Sequence, residues 1–108
     1  MRYAILIYGS EDMEDAADDV LAQYMALGSR PGVFGGEELD HPSTATTVRD
    51  GDGDVLVTDG PYAETKEVFG GFYLIDVPNL DDAIEFAAAV PAVRRGGAVE
   101  IRPLMSRD

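Results

Sequence analysis

The chain has 108 residues, 45% of them apolar and 27% charged, a length and balance that suit one folded domain over residues 1–108 and are too apolar for a disordered segment. Eight basic residues against twenty-one acidic ones leave a net charge of −13, the wrong sign for phosphate backbones and anionic membrane surfaces, so neither nucleic acid nor membrane is an expected partner. Cysteine is absent, which removes disulfides, thiolate nucleophiles and Cys-ligated metals together, and no cofactor is expected.

In chain order, residues 2–8 are apolar at both parities: Tyr3, Ile5 and Ile7 alternate with Ala4, Leu6 and Tyr8. A central strand covered on two faces reads this way. The run is too short to cross a bilayer and is followed by acids instead of a small-residue cleavage site, so a cytoplasmic location is expected. From Asp12 to Leu27, apolar residues recur at three- and four-residue spacing (Met13, Ala16, Ala17, Val20, Leu21, Tyr24, Leu27), which predicts an amphipathic helix with Gly28 as its C-cap. The acids Glu11, Asp12, Glu14, Asp15, Asp18 and Asp19 read as the solvated face of that helix.

Val33-Phe34 stands before Gly35-Gly36. The segments 44–49 and 55–58 flank Asp50-Gly51-Asp52-Gly53-Asp54, a pattern that predicts a β-hairpin. The same aspartates imitate the start of a calcium loop, but the sixth and twelfth places hold Val55 and Pro61 where Gly and Glu are needed, so no metal is expected. Residues 69–77 again carry β-formers at both parities. Asn79 is an N-cap candidate for a second helix with apolar positions Leu80, Ala83, Ile84, Phe86, Ala87 and Val90, stopping at Pro91, and residues 98–104 close the chain as an alternating strand.

The resulting order β-α-β-β-β-α-β predicts an α+β fold: a ferredoxin-like antiparallel sheet with two helices on one face. Two helices cover one side of a sheet whose central strands are apolar on both. Pairing with a second copy through the other face, as a dimeric α/β barrel, is therefore expected.

The densest polar cluster is the 59–67 loop, Asp59-Gly60-Pro61-Tyr62-Ala63-Glu64-Thr65-Lys66-Glu67. Asp-Gly-Pro suits a turn, but a turn needs none of Glu64, Lys66 and Glu67, and Lys66 is the chain's one lysine. The segment Val57-Thr-Asp-Gly-Pro-Tyr-Ala-Glu-Thr-Lys-Glu-Val-Phe-Gly-Gly-Phe-Tyr-Leu-Ile-Asp-Val77 resembles the signature of the YCII-related proteins of the DGPF subgroup, with Tyr62 in place of the final Phe of that name; the resemblance extends to residues 43–49 and 99–105. It implies a ferredoxin-like fold, a dimeric α/β barrel and no assigned activity, with some members encoded near extracytoplasmic-function sigma factors. Wider relatives resemble one another in a His–Asp pair near the first helix. This chain departs from that pattern, because its one histidine, His41, lies in the Asp40-His41-Pro42 loop.

These residues suggest a site for a small polar or anionic molecule where the 59–67 loop meets the sheet and the first helix. In it Asp59 or Glu64 would serve as acid/base, Lys66 and Arg49 would hold an anionic group and Tyr8 would form a hydrogen-bonding wall. The second reading is a non-catalytic regulatory or interaction module linked to transcription, whose acidic surface meets a basic partner.

Overall fold

The computed structural model describes residues 1–10, 18–63 and 65–106. Its elements run β1 (Arg2–Ser10), α1 (Asp18–Gly28), β2 (Val33–Glu38), β3 (Thr46–Gly51), β4 (Asp54–Asp59), β5 (Glu67–Asp76), α2 (Leu80–Ala88) and β6 (Ala98–Pro103), with 3-10 turns at Pro42–Thr44 and Pro91–Arg95. The first part of the expected helix, residues 12–17, lies outside the described residues.

Four strands form one antiparallel sheet in the order β2-β5-β1-β6, and β3 pairs only with β4 in a second, two-stranded sheet. The four-stranded order is the ferredoxin-like one, with the hairpin inserted between its second and third strands. This corrects the expected element count. The segment at Val33 is a full edge strand, and the hairpin stands apart from the main sheet. A bulge at Val33/Gly35 explains why β2 escaped the period-two reading. Gly36 sits at φ 147, where a Cβ would fall 2.6 Å from the Phe72 carbonyl oxygen, so only glycine lets β2 lie this close to β5.

The two parities of β1 separate cleanly. Tyr3, Ile5 and Ile7 are buried, and across the ladder they meet Ile75, Tyr73 and Gly71 of β5 and Ile101 and Val99 of β6. Above this face sit Leu27 of α1 and Ala83, Phe86 and Ala87 of α2, with Val90 and Ala92 just beyond, completing one core with both helices on one side. Helix α2 starts where Asn79 Oδ1 accepts the Asp82 amide at 2.9 Å. Its buried residues are spaced three and four apart, as a helix face requires. Leu80, Ile84 and Leu21, assigned to the apolar stripes by periodicity, are exposed in the structure. Each helix shows the sheet a narrower face than its apolar residues span.

The opposite parity, Ala4, Leu6 and Tyr8 with Phe72 and Leu74 of β5, carries no helix and is only half-buried. Phe34 of β2 is exposed beside it, under the Arg2 guanidinium at 5.8 Å. The body measures 45 × 42 × 19 Å. Its thickness corresponds to one helix layer on one sheet layer.

Tyr73 ties the core to α1. Its hydroxyl donates to the Tyr24 carbonyl at 2.7 Å, and its ring meets Phe86 edge-on with centroids 5.4 Å apart. Burial, reinforced by Tyr24 and Glu38, pushes its pKa up to about 12, against about 10 in an unfolded chain. The folded state holds that proton more tightly. Its contribution to stability is thus whole below pH 10 and is lost as pH rises toward 12. The unfolding free energy of Tyr73→Phe should fall less steeply than the parent's over pH 10–12 in urea titrations; parallel curves would contradict this assignment.

Candidate functional site

The hairpin grows from the sheet at the Tyr8 end of β1. Its turn follows from sequence: Asp52 at φ 53 and Gly53 at φ 96 are the two positive-φ positions of a type I′ turn, and Asp50 Oδ1 accepts the Gly53 amide at 3.2 Å. Asp50 and Asp52 serve the turn and Asp54 opens β4; no metal-binding cluster occurs among the described residues.

At the hairpin's base, two chain segments are laced together. The Gly60 amide donates to the Ala45 carbonyl at 2.7 Å, and the Thr47 hydroxyl donates back to the Gly60 carbonyl at 2.7 Å. On the other side the Leu39 amide donates to the Gly70 carbonyl at 2.9 Å, carrying the β2–β5 ladder past the strand end. Between these ties lies a cleft of about 610 Å3, within the size range of small-molecule sites. Tyr8 and Phe69 line it with ring centroids 5.5 Å apart. A bulge between Ile7 and Tyr8 sets these two rings opposite each other on the open face of the sheet. The remaining wall comes from residues 39–42 and 44–47 and from Pro61, Tyr62, Ala63, Thr65, Glu67 and Val68.

The polar lining centres on Asp40-His41. The Asp40 carboxylate accepts the His41 amide at 2.6 Å. The imidazole in turn caps the Pro42–Thr44 turn, because its Nδ1 accepts the Ser43 amide at 3.1 Å, with Ser43 Oγ 2.9 Å from the same nitrogen. An amide only donates, so Nδ1 must be unprotonated in this arrangement, and the neutral ring then carries its proton on Nε2. His41, exposed and held by this backbone bond, lines the cleft together with Asp40 and Glu67. The Thr65 hydroxyl donates to the Glu67 carbonyl and fixes the end of the loop.

Of the residues singled out from sequence, Tyr8 lines the cleft and Arg49 lies over its wall, the guanidinium 5.2 Å from the Tyr62 ring centroid. Asp59 is exposed at the end of β4, across the ladder from Thr46, and neither it nor the exposed Lys66 is among the lining residues. Glu64 lies outside the described residues. None of the described residues of α1 lines the cleft, because that helix packs on the opposite face of the sheet. His41 is exposed in the Asp40-His41-Pro42 loop, where the sequence places it, and also borders the cleft. The signal for it was local: a His-Pro-Ser run can cap a 3-10 turn through its own side chain.

The profile of the YCII-related domain matches residues 1–107. The chain belongs to the YCII-related family. An uncharacterised protein of Rhizobium meliloti (strain 1021) is similar along the same span, 36% identical over 114 residues that cover 96% of this chain and 92% of the relative. In this YCII-related chain, no described helix is long and apolar enough to cross a membrane.

Proposed function

We propose that this YCII-related chain, as a member of the DGPF subgroup, pairs with a second copy through its open sheet face and binds one small polar or anionic molecule in the cleft of each copy. The observation that carries the binding reading is the pairing of an aromatic floor, Tyr8 and Phe69, with a backbone-held imidazole at His41. A planar or apolar part of the ligand stacks on the floor while an acceptor group meets the Nε2–H of His41. Arg49 on Tyr62 supplies positive charge at the rim, and Asp40 and Glu67 supply carboxylates for proton transfer once a ligand desolvates them. Asp59 and Lys66, exposed at the edge of the same loop, act on ligand entry in this reading and do not contact the bound molecule.

The pairing reading rests on Ala4, Leu6, Phe72 and Leu74, which one copy leaves without a covering layer. The test of the binding reading is a small-molecule screen by NMR and thermal shift on the parent chain and on Phe69→Ala. Compounds that raise the parent's Tm should perturb Tyr8 and His41 resonances and bind Phe69→Ala at least about tenfold more weakly, a loss of about 1.4 kcal/mol. A screen whose hits bind elsewhere and are indifferent to Phe69 would overturn the reading. Salt-sensitive capture of a basic protein, with no ligand found, is what the regulatory-module alternative expects instead.

A further inference from the structure

The β3–β4 hairpin presents an apolar surface that the rest of its own chain does not cover. Val48, Val55 and Val57 are 63%, 72% and 59% exposed. The register pairs Val48 with Val57 and Asp50 with Val55 on one face, while Arg49 and Thr47 turn the other face toward Tyr62 and the cleft. An isolated two-stranded hairpin is marginal in water, so this one needs a surface to lie on. The chain's radius of gyration, 15.8 Å, exceeds the about 13 Å usual for a compact chain of this length, as a thin two-layer body with a projecting hairpin would give.

Charge and area point to the same occupant. The hairpin carries Asp50, Asp52, Asp54 and Asp59 around its valines. At the end of β1 remote from the hairpin, the open sheet face carries Arg2 and Arg102, the second lying across from Ala4; Asp76, across from Arg2, is paired with the amino terminus, which leaves this end positive, and Glu100 lies one step further along, across from Leu6. Roughly 20 Å of strand separates Arg2 from Tyr8, which keeps a chain's own hairpin away from its own arginine end. Among the described residues the one ion pair joins the amino terminus to Asp76. Two sheets packed face to face about a two-fold axis lying between them and across their strands run in opposite directions. Each hairpin base then stands over the partner's arginine end. The strands of that face run nine, ten, six and six residues and lie about 4.8 Å apart, on the order of 500 Å2 of projected face, and the hairpin's valines extend the apolar contact beyond it.

We infer that the β3–β4 hairpin is a clasp that lies along the Arg2–Arg102 end of a second copy, its valines on that copy's open sheet face and its aspartates beside those arginines. The inference rests on the pairing proposed above and assigns it a direction: antiparallel, with the hairpins as outer arms. It also explains why the cleft opens beside the sheet face, since a clasped partner would wall its outer side at Tyr8 and Phe69.

The native chain has no cysteine, so introduced ones are unique and report the geometry directly. A chain carrying Val57→Cys and Arg102→Cys together should give covalent dimers with a short bis-maleimide linker, at least tenfold more than either single variant. Separately, Val48→Lys with Val57→Lys should weaken dimerisation at least 30-fold by sedimentation velocity, with an unchanged circular dichroism spectrum. Lysines lower the overall charge repulsion between two acidic copies, whereas at the clasp they stand beside the partner's arginine end, so weakened association reports the loss of that contact, apolar and electrostatic together. Should the parent be a monomer at 100 µM, the pairing itself and the clasp both fall. Should the parent be a dimer whose affinity changes less than about threefold in the lysine variant, or whose double-cysteine form links no better than the singles, the clasp alone is overturned. Should the lysine variant lose its fold, the cross-linking result decides.

Discussion

A Phe86→Ala variant is expected to lose about 3–5 kcal/mol of unfolding free energy. Phe86 is 5% exposed and joins three layers of contact. Tyr73 of β5 meets its ring edge-on at 5.4 Å, the Arg30 guanidinium lies 5.8 Å from its centroid, and Ala83 and Ala87 flank it on α2. A nine-residue helix has little stability of its own, so its hold on the sheet comes from this packing. Alanine would leave a cavity that Tyr73 cannot fill while its hydroxyl is bonded to the Tyr24 carbonyl. For a domain whose total stability is of order 5–15 kcal/mol, this is about a fifth of the whole at the least. Urea unfolding followed by circular dichroism should show a lower midpoint at an unchanged slope. A loss below about 1 kcal/mol would mean that α2 is not anchored as described.

The second large effect belongs to the other face of the same sheet. Leu6 and Phe72 oppose each other across the β1–β5 ladder, both half-buried in one chain and both on the side away from the helices. Replacing both with lysine should leave the chain folded, its Tm within a few degrees of the parent monomer's, because the core residues Ile5, Ile7 and Ile75 are untouched. Association should fail. A dimer would bury four such side chains, each contributing about 1.5–3 kcal/mol, so its dissociation constant should rise by at least about 1,000-fold. Two added lysines also reduce the net charge from its parent value of −13, which by itself favours association. Loss of the dimer would therefore come from the sheet face, whereas a variant that pairs as tightly as the parent would show that this face is not the contact.

How much of this was legible in the sequence depended on whether the signal was local. The alternation in residues 2–8 gave β1 with the right residues on each side, because a period of two is imposed by the pleat itself. Asn79 marked the start of α2 and the Asp50-Gly51-Asp52-Gly53-Asp54 run the hairpin turn, which the structure centres on Asp52-Gly53. The edge strand β2 was missed because its Gly35-Gly36 reads as a break; only its pairing with β5, set by a contact about forty residues away, makes it a strand. The separation of the hairpin from the main sheet is likewise a tertiary fact.

The candidate site followed the same division. The 59–67 loop stood out by composition, and part of it walls the cleft. Residue type alone favoured Asp59 and Lys66, which lie outside the lining, over His41, whose place is fixed by a bond to Ser43 two residues on. Convergence of side chains from β1, the 39–47 segment and β5 depends on the β-bulge at Tyr8, and no pattern in the chain announces it.

The pairing we propose closes the uncovered face of the four-stranded sheet with a second copy of the chain. Sedimentation equilibrium of the parent chain at about 50 µM and physiological salt tests it most directly. The account predicts a mass twice that of the 11.6 kDa chain. A mass of one chain, unchanged as concentration rises tenfold, would contradict it.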